Sequence, residues 1–343
     1  MTDIKSMNLS ELTAYLTDSG FEKFRAKQVL DWLKNGVSSF EEMTNLPKKL
    51  TVFLEDNAYI ASASVERKQI SRIDGTVKYL FKLYDGEYVE SVLMNYHHGY
   101  SICISTQVGC KMGCTFCATG KSGFSRSLTA SEMIAQIEAA QKDNNIRISN
   151  VVLMGMGEPF DNYENVIRFL RLVSSEDSLN IGMRHITIST CGIVPRIYDF
   201  ADLKLQCGLS ISLHSPYNEK RSETMPINRR YPIADLIKAC RYYLDKTNRR
   251  ISFEYALIAG VNDSDKDAEA LSSLLKGMLC HINLIPVNNV TGAGYTKSTF
   301  KRQQSFMNIL SSRGLNATVR RTLGADIDAS CGQLKRNYQK GDV

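Results

Sequence analysis

Apolar residues recur at helical spacing near the start of the chain, at Leu9, Leu12, Tyr15 and Leu16 and again at Val29, Leu30 and Leu33. Positions three and four apart share one face of a helix, so this spacing predicts two amphipathic helices. A third helical stretch is expected over 40–54, interrupted by Pro47. The period then falls to two. Strands are expected over 58–66, 77–83 and 88–94, joined by Asp74-Gly75 and Asp85-Gly86, dipeptides that supply the positive φ of tight hairpin turns. From about residue 95 strands alternate with helices, the strands falling over 101–106, 150–154, 185–190, 207–213, 251–258, 281–286 and 317–321. The first of the intervening helices has a clear start, Thr129 and Glu132 forming a capping box ahead of Met133, Ile134 and Ile137. Parallel strands joined by right-handed helical crossovers curl into a barrel whose ligands sit at the strand C-terminal ends. The expected class is α/β, with an accessory region of helices and small hairpins over 1–94 and a barrel core over 95–343.

Charge adds a partner to this picture. Lys and Arg outnumber Asp and Glu by 42 to 36, a formal net charge of +6, which suits a polyanion such as RNA. The second predicted helix carries Lys23, Arg25, Lys27 and Lys34. No apolar run approaches the ~18 residues that cross a bilayer and no secretory leader is recognisable, so a cytoplasmic setting without a membrane partner is expected. Nine cysteines in a reducing compartment point to metal binding or thiol chemistry rather than cross-links. Cys191, Cys207, Cys240 and Cys280 stand singly in apolar stretches and are expected in the core.

Three other cysteines are clustered. Cys110, Cys114 and Cys117 form a C-x3-C-x2-C loop in which Gly109, Gly113 and Gly120 leave room for a bulky group. Structural zinc takes four ligands, whereas an iron–sulfur cube held by three protein thiolates keeps one iron open to a substrate. A zinc clip completed by Cys103, His97 or His98 is the competing reading. The loop is similar to that of radical S-adenosylmethionine (SAM) enzymes, which often carry an aromatic where Phe116 stands, and the similarity implies that the open iron chelates SAM.

Other motifs fall at the same strand ends. The cysteine loop follows the first barrel strand, Gly155-Met-Gly-Glu-Pro159 follows the second, Ser189-Thr190 ends the third and Ser212-Leu-His214 ends the fourth. All therefore face one mouth. Singly, each has a plainer reading: Gly155 to Glu158 as a strand-to-helix turn, His214 as a satisfied core histidine, Glu90 as a solvated strand residue, Cys103 as strand core and Cys331 as a buried inert thiol.

Together with Cys103-Ile-Ser-Thr-Gln-Val-Gly-Cys110, Met225-Pro-Ile-Asn228 and Asp328-Ala-Ser-Cys-Gly-Gln333, these segments closely resemble the RlmN/Cfr family, radical SAM methyltransferases acting on adenosine in 23S ribosomal RNA. The likeness runs through nearly the whole chain. It implies a partial (βα)6 barrel, a [4Fe–4S] cluster on Cys110, Cys114 and Cys117, and SAM contacts from Gly157, Glu158, Ser189, Ser212, Leu213, His214 and Asn288. It also implies two SAM molecules per turnover, one methylating Cys331 and one supplying a radical that removes hydrogen from that methyl group so that its carbon adds to the base. Glu90 is implied as the acceptor of the ring hydrogen, and Cys103 as the thiol that closes a disulfide with Cys331 and frees the product. A radical route meets a chemical need, because an electron-poor adenine carbon cannot attack an electrophilic methyl group as a nitrogen would. The implied partners are 23S rRNA, tRNA as a further substrate, and an electron donor such as flavodoxin or ferredoxin, with the enzyme a monomer.

Within the family, Pro159 and the Ser189-Thr-Cys-Gly192 run favour methylation at C2 over methylation at C8, the outcome linked to antibiotic resistance. Two alternatives from other classes are a non-catalytic RNA-binding protein clipped by zinc and a radical SAM enzyme for a small molecule. The second leaves Cys103, Cys331 and the N-terminal helices unexplained.

Overall fold

A computed structural model describes residues 1–121, 123–286, 295–321 and 323–327; the expected site residues Asn288 and Cys331 lie outside the described residues. Helix α1 (Leu9–Asp18) starts at Asn8, which shares a capping box with Glu11. Helices α2 (Arg25–Lys34) and α3 (Lys48–Asn57) contribute Ala26, Val29, Leu33, Leu50 and Leu54 to a core shared with Leu12 and Leu16. The stretch ahead of Pro47 folds as turns rather than helix. A proline disfavours helical backbone in the residue before it, so α3 begins only after Pro47, itself extended at ψ 139°. Phe40, Met43 and Leu46 are nevertheless buried.

This small core, spanning residues 4–60, is distinct from that of the rest of the chain. Its junction with the barrel is polar: Lys5 meets Glu138 at 2.5 Å, Arg168 meets Glu11 at 2.8 Å and Lys34 meets Asp177 at 2.6 Å.

The main sheet has ten strands among the described residues: β1 (Ala63–Ile70), β2 (Val77–Leu83), β3 (Tyr88–Tyr96), β4 (Gly99–Cys103), β5 (Ile148–Leu153), β6 (Ile186–Thr190), β7 (Gly208–Ser212), β8 (Ile251–Leu257), β9 (Cys280–Pro286) and β10 (Ala317–Val319). They lie side by side in chain order. The first three pairings are antiparallel and the remaining six parallel. The hairpins expected beside the N-terminal helices thus continue the barrel sheet, and Val77, Tyr79, Phe81, Val89 and Leu93 belong to its core. Left bare, the edge of β4 would expose a row of unpaired backbone groups, and β3 covers it.

Helices α4 (Ala130–Asn144), α5 (Tyr163–Val173), α6 (Val194–Asp202), α7 (Asn218–Thr224), α8 (Ile233–Thr247), α9 (Asp265–Leu274) and α10 (Phe300–Ser312) lie between the parallel strands in the chain. The capping box of Thr129 and Glu132 starts α4. Lys78 on β2 and Arg320 just beyond β10 line one cavity. In a flat sheet with strands ~4.8 Å apart they would stand roughly 38 Å from each other, so the sheet curls tightly.

Candidate active site

The curled sheet encloses a cavity of about 410 Å³ at the C-terminal ends of its parallel strands. Cys103 ends β4 and stands in register with Val92 of β3, which in turn faces Lys78 of β2. Glu90 is the diagonal neighbour of Lys78 on the same sheet face, and their side chains meet with Nζ 2.6 Å from Oε2, both buried. Behind them Ser105 ties three segments together. Its Oγ donates to Glu90 O at 2.6 Å and accepts from Met156 N at 2.9 Å, while its backbone is held by the Gln136 amide of α4. Burial raises the Cys103 thiol pKa, against the pull of the Arg320 and Lys78 charges nearby.

The cysteine loop is shaped by close backbone approach. Gly109 sits at φ +83°, where a Cβ would come 2.1 Å from the Gly123 carbonyl oxygen that accepts the Cys110 N–H. Cys117 N donates to Cys114 O at 3.2 Å, and Thr115 N donates to Thr224 O at the end of α7 at 3.0 Å. Burial pushes the Cys110 thiol up to about 12 and the Cys114 thiol higher still, and the neighbouring cysteines and Glu158 push both in the same direction. Three thiolates can coexist here only with a positive centre between them.

The Gly155-Met-Gly-Glu158 turn packs directly on that loop's strand. Gly157 adopts φ +105°, and a Cβ there would stand 2.6 Å from the Gln107 side chain. Gln107 Oε1 accepts the Glu158 N–H at 2.9 Å. The buried Glu158 carboxylate accepts from Cys191 N at 2.7 Å and Phe160 N at 3.0 Å, yet burial still raises its pKa. His214, in the left-handed region at φ +58°, accepts the Ala256 N–H on Nδ1 at 2.9 Å and meets Phe116 edge-on. Burial drops its pKa to about 3, so the ring is neutral and carries its proton on Nε2.

Residues 104–271 match the family model of the radical SAM superfamily, and residues 2–60 match the ribosomal RNA large subunit methyltransferase N-terminal domain. A probable dual-specificity RNA methyltransferase RlmN of Alkaliphilus oremlandii is 55% identical over 336 residues, which are 98% of each chain. The corresponding Clostridium tetani protein is 51% identical over 342 residues, 100% of this chain and 98% of the relative. The chain belongs to the RlmN family. A crystal structure of a radical SAM methyltransferase from Sphaerobacter thermophilus superposes with a TM-score of 0.90 at 43% identity, covering 97% of this chain and 99% of that one. The protein is thus a radical SAM methyltransferase with the α/β fold that its sequence resemblance implied, and membership of such a family implies an iron–sulfur cluster and SAM.

The donor set fits those groups. Three soft thiols, Cys110, Cys114 and Cys117, line the cavity together with the polar groups of Glu158, Ser189, Ser212 and His214, a donor set of the kind a cluster with three protein sulfurs and a polar ligand would use. Glu254 Oε2, also on the wall, is buried without a hydrogen-bond partner, an acceptor available to a polar ligand.

Of the residues expected at the site, Glu90, Cys103, Cys110, Cys114, Cys117, Gly157, Glu158, Ser189, Ser212 and His214 all line this one cavity. Leu213 does not: its side chain lies in the apolar core while its backbone joins β7 to Glu254. Lys78, Glu254 and Gln107 were not singled out for the site by sequence reasoning. Lys78 and Glu254 sit inside apolar strands with nothing to mark them, and Gln107 lies within the motif run around Cys103 without a signal for its role.

Proposed function

We propose that this enzyme methylates C2 of an adenosine in 23S rRNA, and of a tRNA, by way of a methyl group carried on Cys331. The observation that supports this best is that Glu90, Cys103 and the three clustered cysteines wall the same cavity. A zinc-clipped binding protein would have no use for a buried base and a free thiol there. Bound to Cys110, Cys114 and Cys117, an iron–sulfur cluster with SAM supplies the one-electron chemistry that an unactivated aromatic carbon needs.

The chain's own residues do the rest. Gly157 opens the wall, and Glu158, Ser189, Ser212, His214 and Asn288 offer the polar groups that hold SAM, two molecules being consumed in each turnover. Cys331 takes the methyl group as a nucleophilic sulfur and presents its carbon to the base. Glu90, positioned by its contact with Lys78, takes the ring proton from the tethered adenosine. The Cys103 sulfur then bonds to that of Cys331, the carbon–sulfur bond to the base breaks, and its electron pair stays with the new methyl carbon, which gains a proton. Cellular thiols reopen the disulfide.

RNA reaches the cavity as an unstacked nucleotide, since a stacked base cannot present its edge to a buried thiol. The N-terminal region supports this role by presenting Lys23, in the turn before α2, and Lys27, on α2, to solvent. Among the described residues no helix is long and apolar enough to cross a membrane; in this reading the enzyme works as a cytoplasmic monomer fed electrons by a flavodoxin or ferredoxin.

Mass spectrometry of rRNA and tRNA from cells with and without the gene tests the proposal. Loss of 2-methyladenosine on deletion is expected. Loss of 8-methyladenosine instead assigns the C8 reaction, and no change in either nucleoside refutes both.

A further inference from the structure

Arg221 stands on α7, between the two motifs that flank that helix, and its side chain is fully buried. Four of its five N–H groups are spent on neutral oxygens: Nε on Leu213 O at 3.1 Å, Nη1 on Asn228 Oδ1 at 2.8 Å, and Nη2 on Cys191 O at 2.7 Å and Ser212 O at 3.1 Å. Among the described residues no carboxylate pairs with it. A buried guanidinium without a counter-ion is costly, and since none is supplied among the described residues, its retention calls for an anion at this site.

Two features of the geometry say where that anion belongs. Cys191, whose carbonyl Arg221 holds, donates its own N–H to Glu158, so a single residue bridges the guanidinium and the carboxylate on the cavity wall. At the end of α7, Thr224 O accepts the N–H of Thr115, inside the cysteine loop. The ionisable groups near Arg221 include the thiols of Cys191, Cys114 and Cys240 and the neutral ring of His214.

We propose that Arg221 is a fixed counter-charge for the iron–sulfur site, a buried cation that offsets the negative charge of the cluster-bound thiolates and raises the potential at which the cluster takes up its electron. The inference rests on the reading that Cys110, Cys114 and Cys117 hold a cluster. Three thiolates carry more negative charge than the oxidised cube carries positive, and reduction adds another electron to a partly buried site. Net local charge and burial are among the factors that set such potentials. Arg221 touches neither substrate nor reacting atoms; it is a positioning residue that acts through charge.

Three variants separate charge from tether. Arg221→Gln removes the charge, Arg221→Lys keeps it but loses the fork, and Asn228→Asp keeps the fork while placing a carboxylate against it. Each is reconstituted anaerobically with iron and sulfide and titrated with redox dyes under electron paramagnetic resonance. At a fixed solution potential near the wild-type midpoint, the ratio of reduced to oxidised cluster is expected to fall by about tenfold, a negative shift of about 59 mV, in Arg221→Gln and Asn228→Asp. Arg221→Lys is expected to stay near wild type. An Asn228→Asp protein with full cluster content and the wild-type midpoint overturns the proposal even if Arg221→Gln fails to fold, as does an Arg221→Lys midpoint displaced as far as that of Arg221→Gln. Failure of the wild-type protein to take up a cluster at all would refute the reading of the cysteine loop, a separate outcome seen before any titration.

Discussion

Lys78 and Glu90 form an ion pair at 2.6 Å with side chains 0% and 2% exposed, on the same cavity wall as Cys103. Lys78→Met removes one partner of this buried ion pair and is expected to cost about 3–5 kcal/mol in urea unfolding followed by circular dichroism. Whatever folded protein remains should behave like Glu90→Gln and accumulate RNA joined covalently to protein. Wild-type product release by Lys78→Met would show that the pair has no part in the chemistry.

Removing the Cys103 thiol blocks the step that frees the product. Cys103→Ala should still cleave SAM, while a denaturing gel shows protein and RNA migrating as one species and multiple-turnover release falls more than about 100-fold. Because burial raises the Cys103 pKa, the thiolate fraction keeps growing with pH beyond the range of an ordinary thiol. Single-turnover release in the native enzyme should therefore still be rising above about pH 8.5. A plateau well below that value would count against the thiol as the limiting group.

Gly157→Ala introduces a Cβ at φ +105° and 2.6 Å from the Gln107 side chain, the group that orients Glu158. The strain is of order 1–3 kcal/mol. SAM affinity by calorimetry is expected to drop at least about tenfold, with far-ultraviolet circular dichroism unchanged. Undiminished binding would remove this turn from the SAM site.

His214 makes stability depend on pH. Its folded pKa of about 3 lies below the ordinary value of 6.5, so in acid the unfolded chain binds a proton that the folded chain refuses. Stability is fully present above about pH 6.5 and drains away as pH falls toward 3, by at most about 1.4 kcal/mol per pH unit from this group. Urea midpoints between pH 7 and pH 4.5 should decline less steeply in His214→Gln than in wild type. Equal slopes would show that other groups govern the acid limb.

Much of the site was legible because its chemistry resides in local spacing. Three cysteines within eight residues, glycines at close backbone approaches and a histidine directly after a strand each leave a mark in the linear order. The strand positions were legible for a similar reason, since period two and the Asp-Gly turns at 74–75 and 85–86 are short-range signals. The helix expected from residue 40 failed at Pro47, where backbone sterics outweighed apolar spacing.

By itself, then, the sequence determined the order of elements, the α/β class, the three-thiol loop and the family. Tertiary structure alone decided that β1 to β3 extend the barrel sheet and that Lys78 reaches Glu90. Likewise it set Glu254 on the cavity wall with a bare oxygen and buried Arg221 on the helix whose end meets the cysteine loop, with no carboxylate pairing it among the described residues. The reason is physical: a lone lysine, glutamate or arginine in an apolar stretch has the same local signature whether it reaches solvent or is buried. Which one occurs depends on the curl of the sheet and the partners it brings from distant strands, and that information is spread over the whole fold.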